Sequence, residues 1–326
     1  MPEPLFPLDD SVAEAPAVPA APALSPEVTP GEHSGEPSLL RGTPGGVPPG
    51  VVAGGRTPPP AAAVREDLNA PWDFVDMVIF IFFGLGMLEL ANDVAAWLAI
   101  SFAGVKPEKI IEFATTNAAF IVCRQAAWFA LLLAYLYTMV RMRTIGPVWR
   151  TLGWRGFPRR SVKPGEAVPA TSALSGIGKT AAFLGGGALL AVCVQFATIF
   201  VGTNAKLPIQ ALLADRRSIL YMMAFGLLVA PLVEETVFRG FLYPVMARRF
   251  GVVIGVILTG TFFGLMHAEQ LWGGWGEISL LVAVGIVFTT ARAWSGSVTV
   301  SYLLHLGYNG LLFLGTYVAT GGLRHF

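Results

Sequence analysis

Charge is the scarcest commodity in this chain. Only 13% of its 326 residues are Asp, Glu, Lys or Arg, whereas 54% are hydrophobic and the mean hydropathy is +0.62. A water-soluble domain carries about 25% charged residues, so the shortage excludes a protein whose surface faces water throughout. The formal net charge is +1 and no basic block exceeds the clusters flanking apolar runs, which excludes a nucleic-acid partner. Cysteine is nearly missing as well. Cys123 and Cys193 both fall in apolar runs, where they read as small buried hydrophobes and not as a disulfide framework. Histidine occurs only four times.

What the chain has in excess is divided sharply. Residues 1–70 hold fifteen of the 24 prolines, nine acidic residues and three arginines, with almost no aromatics. Such a stretch cannot bury enough apolar surface to offset its ordering entropy, so it reads as a disordered tail. Met1 is followed by Pro2, Glu3 and Pro4, which is no signal-peptide start, and the tail is expected to stay attached. From Phe74 onward long apolar runs alternate with polar or Gly/Pro turns, and about 20 such residues suffice for a helix to cross the hydrocarbon. The pattern predicts an all-α, polytopic transmembrane bundle of about seven spans, near 74–102, 118–140, 180–201, 218–248, 252–268, 277–294 and 297–319, with breaks open at Pro231, Pro244 or Gly273–Gly274. Residues 71–217 form an N-terminal set of spans, and 218–326 a core that holds the unusual polar residues.

The densest positive cluster lies between the second and third spans: Arg141, Arg143, Arg150, Arg155, Arg159, Arg160, Lys163 and Lys179. The positive-inside rule places it, and with it the N-terminus, in the cytoplasm. Lys106, Lys109, Lys206, Arg216 and Arg217 then fall outside. The protein is thus expected to be a multi-pass integral membrane protein in contact with the lipid bilayer. Its Ala/Pro/Gly-rich composition is a weak pointer to a bacterial plasma membrane.

Ionisable groups inside hydrocarbon are costly and mark function by default. Three constellations carry them. In "LVEETVFRG" Glu235 and Arg239 are four apart and share a helix face, whereas Glu234 is turned about 100° away and left without that partner. In "FGLMH" Phe263 and His267 are four apart, and in "HLGYN" so are His305 and Asn309. Each pair alone has a bland reading, a satisfied core histidine or an asparagine bridging helices. Depth changes that. With a turn near Phe250, Glu234 lies 16 residues before it and His267 17 after, each about 24–26 Å along its helix. His305 and Asn309 lie 9 and 13 residues past Gly296, roughly 14–20 Å along theirs. The four groups can meet in one cavity.

A carboxylate, two imidazoles and a carboxamide in a partly dry pocket are the parts of an acyl-transfer site. Glu234 would serve as general base toward water, His267 would hold that water, and His305 with Asn309 would donate to the oxyanion. Glu234, His267 and His305 are also a credible zinc set with an open position, though their spread over three helices gives a metal no support from spacing, and glutamate-dependent and metal-dependent hydrolysis both stay open. No other cofactor is implied.

"EETVFR", "FGLMH" and "HLGYN", in that order, resemble the EExxxR, FxxxH and HxxxN motifs of the CPBP family of intramembrane proteases, which includes CAAX prenyl endopeptidases and bacteriocin-processing or immunity proteins. The resemblance covers about residues 218–315 and departs at no motif position. It implies an all-helical membrane endopeptidase with Glu234 as base, His267 orienting water, His305 and Asn309 at the oxyanion, and Glu235, Arg239 and Phe263 in support. It further implies a peptide or membrane-protein substrate, among them prenylated CAAX proteins. Two rivals stand beside it: a catalytically silent scaffold or bacteriocin-immunity protein, and a proton-coupled transporter, the latter weakened because no second copy of the motifs occurs in residues 74–217. Glu89, Asp93 and Arg124 in the first two spans read as structural, with an interhelical ion pair open to them. "HAEQLWGGWGE" reads as an interfacial anchor or lid with a solvated Glu269.

Overall fold

Helix ends set this architecture. In the computed structural model, which describes residues 66–157, 173–201, 207–211 and 215–323, Asp73 starts the first span with a reciprocal capping box to Asp76. Asn117 caps the second, Asp215 the fourth and Ser297 the last. The longer helices are α1 (Phe74–Phe102), α2 (Ala118–Arg143), α3 (Ala173–Val201), α4 (Arg216–Phe250), α5 (Val252–Leu265), α6 (Trp275–Ser295) and α7 (Val298–Ala319). No strand occurs among the described residues. The cap at Asp215 is a charged one: hydrogen bonds from the Ser218 hydroxyl and from the Ser218 and Arg217 backbone hold its carboxyl below the usual range.

Six of the seven helices are long and apolar enough to cross a membrane, and α5 is a shorter apolar helix. Fourteen residues reach only about 21 Å, well short of a hydrocarbon core of about 30 Å. The predicted span to residue 268 therefore ends early, and residues 266–273 run as turns. Irregular backbone at such depth persists only where it is buried in protein or lines a cavity.

The predicted breaks in α4 take a different form. The helix runs on through both prolines, but Phe225–Val229 and Thr236–Leu242 widen to π geometry, and Pro231 and Pro244 each open the α-helical stretch that follows. Proline has no N–H and its ring crowds the preceding turn, and the wider π turn makes room for it. Ala230 donates to the carbonyl of Phe225, five residues back. In that register the carbonyl of Gly226 would need a proton from Pro231, which has none.

Glycine decides how closely the helices lie. A Cβ at Gly307 of α7 would sit 2.0 Å from the Leu184 carbonyl oxygen of α3, and one at Gly187 would sit 1.9 Å from that of Leu304. In lipid, where burying apolar surface brings helices no advantage, such close backbone approach drives their association. Gly260 and Gly264 do the same for α5, facing the backbone of Ile286 and Val282 on α6. The largest buried cluster joins α1, α2 and α4 through Phe80, Trp128, Leu132, Val233 and Phe241, with Trp72 donating from its indole to the Phe241 carbonyl at 3.1 Å.

One end of the bundle is stitched by arginines. Arg143 pairs with Asp76, Arg248 donates to the carbonyls of Leu68 and Trp72, and Arg292 holds the Asp67 carboxylate at 2.8 Å. Residues 66–70, which the sequence assigns to the tail, are thus built into the bundle, with Leu68 buried. The rest of the tail lies outside the described residues, as do Arg159, Arg160 and Lys163. Two expectations fail. Cys123 and Cys193 are exposed, because in a bilayer an apolar side chain can face lipid as readily as the interior. No ion pair joins Arg124 to Glu89 or Asp93 among the described residues.

Candidate active site

Adjacent glutamates on a helix must point in different directions, and these two enter different environments. The Glu235 side chain is wholly buried, accepting from Arg239 Nη1 at 2.9 Å and lying 3.0 Å from His305 Nδ1. Arg239 is equally buried. Its Nη2 donates to the Gly285 carbonyl at 2.8 Å and its Nε to the Thr289 hydroxyl at 3.2 Å, so one guanidinium ties α4 to α6. Its plane lies 4.5 Å from the Phe263 ring centroid and 5.4 Å from that of Phe288, a favourable position for a cation in a dry site. Glu234 keeps 16% of its side chain accessible, and its Oε2 lies 3.8 Å from His305 Nε2. His305 therefore stands between the two carboxylates, wedged against Phe288 with centroids 4.8 Å apart.

His267 occupies the turn just past α5. Its Nδ1 lies 2.9 Å from the Phe263 carbonyl, which as a pure acceptor fixes the proton on Nδ1 and leaves the Nε2 lone pair free in the neutral ring. Asn309 has a task that spacing could not reveal: its Nδ2 donates at 2.8 Å to the Gly226 carbonyl, the group that Pro231 leaves without a helical partner. One of its two amide protons is thereby committed to holding α7 against the π turn of α4. The other is unassigned.

All four expected site residues, Glu234, His267, His305 and Asn309, line one cavity of 340 Å³, which Gln125 and Gln270 also line. Glu234 and His267 sit as well on the wall of a second cavity of 320 Å³, largely apolar, formed with Phe80, Trp128, Leu132 and Phe262. The glutamate thus stands where a cavity holding all four polar site residues adjoins a more apolar one. Of the supporting residues, Phe263 is buried and supplies both the carbonyl to His267 and a ring to Arg239.

Among the described residues no group of three His, Cys, Asp or Glu side chains is placed to hold a metal ion, so Glu234, His267 and His305 do not form in this geometry the zinc set that the sequence left open. His305 Nδ1 is turned to Glu235 and His267 Nδ1 to a carbonyl.

Sequence reasoning missed Thr289, Phe288 and the Gly285 carbonyl, which carry no motif and are recruited only by the packing of α6. It also missed Gln125 and Gln270, whose signal was available as uncharged polar residues in or beside apolar helices.

A comparison with curated proteins gave no match, and neither did one with solved structures. Residues 216–311, however, match the family model described as Type II CAAX prenyl endopeptidase Rce1-like. The matched stretch runs from the start of α4 into α7 and contains Glu234, Glu235, Arg239, Phe263, His267, His305 and Asn309, so this part of the chain is similar to the Rce1-like type II CAAX prenyl endopeptidases.

Proposed function

We propose that the protein hydrolyses peptide bonds within the membrane, with Glu234 as the general base. The observation that carries this is the shared cavity: a carboxylate without an arginine partner, two imidazoles and a carboxamide, contributed by α4, α7 and the turn after α5, converge on a single space. Glu234 takes a proton from a water whose other hydrogen bond is accepted by His267 Nε2, and the water oxygen attacks the scissile carbonyl carbon. The oxyanion is met by the second amide proton of Asn309 and by His305, whose imidazolium form offers an N–H on each side. Glu234 then passes its proton to the leaving amine as the C–N bond breaks. Glu235 and Arg239 act beneath this layer by fixing His305.

The apolar cavity beside Glu234 fits a hydrophobic substrate segment, a prenylated CAAX chain end among them. The arginine-stitched end of the bundle is assigned to the cytoplasm together with the N-terminus, since Arg143, Arg150, Arg155, Arg248, Arg249 and Arg292 all belong to it.

The test is cleavage by purified full-length protein of isoprenylated CAAX peptides and unprenylated membrane-protein fragments. Wild type cleaves. Glu234→Gln, isosteric and unable to accept the proton, loses about 10² to 10⁴ in rate. Equal cleavage by both, or none across the panel, sinks the proposal.

A further inference from the structure

The surroundings of Glu234 are closed toward one end of the bundle and open toward the other. On the arginine-stitched side the segment between α2 and α3 packs against α4. The Trp154 indole donates to the Thr236 hydroxyl at 3.1 Å, and a Cβ at Gly240 would sit 2.7 Å from the Leu152 carbonyl oxygen. The start of α7 is fastened to the same segment: the Val298 N–H donates to the Gly153 carbonyl at 2.8 Å and the Ser297 hydroxyl to that of Arg155. Leu152, Thr236, Arg239 and Val298 are all buried, and packing this close excludes water and peptide alike. The opposite side is porous. The cavity of Glu234 and His267 shares Ile121, Gln125, Ile209, Met222 and Gln270 with a third cavity, of 380 Å³, built from the segments joining α1 to α2, α3 to α4 and α5 to α6. None of residues 141–157, 243–257 or 292–302, which make up the stitched end, lines either space. Polar groups stand in this mouth: Asp93 and Glu269 are exposed, and Arg124 Nε and Asn92 Oδ1 have no hydrogen-bond partner among the described residues.

Hydrolysis consumes water, and an extended peptide in hydrocarbon must find partners for its backbone N–H and C=O groups, so both reach Glu234 through the mouth. The arginine-rich end, assigned above to the cytoplasm, puts that mouth on the other face, whose flanking cations are the smaller set Lys106, Lys109, Lys206, Arg216 and Arg217. We propose that the site takes its substrate from the extracytoplasmic face, and that this substrate is a membrane-anchored polypeptide cut on the outer side of its anchor. The largely apolar cavity at Glu234 receives the adjoining end of the anchor. A cytoplasmic chain end, with or without a lipid, would have to carry its backbone polar groups across the hydrocarbon to arrive. The inference rests on the peptidase reading for the cut, whereas the face on which the mouth opens is independent of it.

The test uses full-length protein in the plasma membrane of a bacterial host, in a Cys123→Ala, Cys193→Ala background. Glu269→Cys in the mouth and Arg150→Cys at the stitched end, both at exposed positions, are offered a membrane-impermeant maleimide in spheroplasts, which present the outer face, and in inverted vesicles. Glu269→Cys is expected to label only in spheroplasts and Arg150→Cys only in inverted vesicles. Any other pattern overturns the proposal, whatever the protein does to peptides. For the cut, two single-span reporters carry one peptide on the outer or on the cytoplasmic side of the same apolar segment. Wild type is expected to cleave the outer reporter faster by about tenfold or more, and Glu234→Gln neither. Indifference to side, or faster cleavage of the cytoplasmic reporter, overturns the outer-face substrate and leaves the peptidase reading intact. Cleavage of neither overturns the peptidase reading and the substrate class with it, while the labelling still fixes the face of the mouth. Should Glu269→Cys fail to fold, Asp93→Cys, exposed in the same mouth, takes its place.

Discussion

Arg292 and Arg124 are both arginines in apolar helices, and they belong to opposite ends of one bundle. At the first end three arginines hold a carboxylate or a carbonyl: Arg143 with Asp76, Arg248 with two backbone oxygens, Arg292 with Asp67. Toward the other end Arg124 and Asn92 keep bonding capacity unused at a cavity, and Glu234 opens to two more. The same contrast recurs across a single peptide bond, between Glu235, whose Oε1 is held by Arg239 and His305, and Glu234, open to a cavity. Burial of charge thus has two outcomes in this protein. Where protein partners hold the group, it fastens helices together; where they do not, it stands open to a cavity.

The contrast can be broken from the paired side. Arg239→Ala strands Glu235 without its cation and should cost about 3–5 kcal/mol, the loss typical of one partner of a buried pair. Thermal unfolding in detergent would show it, and Glu234→Gln should leave that same melting point nearly unmoved. Gly307→Leu drives a side chain into the Leu184 carbonyl, and overpacking of this kind should cost about 1–3 kcal/mol by separating α3 from α7. Arg292→Ala removes two bonds to Asp67 and should destabilise by about 1 kcal/mol for each. Its readout besides melting is proteolysis near residues 66–70, which should become faster while the kcat of surviving protein is kept. The smallest effect sharpens the other side. Glu269 is exposed on the cavity rim, and Glu269→Ala should alter stability by no more than about 0.5 kcal/mol and leave turnover unchanged. A marked fall in turnover would move Glu269 from the rim into the working site.

Much of this was legible in the chain. The α1, α2, α6 and α7 spans emerge within a few residues of their predicted limits, because about 20 apolar residues bounded by polar turns admit one solution in a bilayer. The pairing of Glu235 with Arg239 follows from helical spacing alone. By contrast, the end of α5 at Leu265 was hidden, since the apolar pattern runs on through Met266 while the backbone does not. The fates of Arg124 and of the two cysteines were hidden too, because spacing within one helix does not say which neighbour, or which lipid, a side chain will meet.

By itself, then, the amino-acid order determined that this protein is a bundle of membrane helices and which few polar groups it carries into the apolar layer, because hydropathy and helical period act locally. Only the tertiary structure decided their assignments. Asn309 bonds to Gly226 because a proline five residues along strips that carbonyl of its donor, His305 divides two neighbouring carboxylates, and Arg124 is left unpaired. Each outcome depends on which helix lies alongside, and that is set by glycine contacts and π turns far apart in the chain.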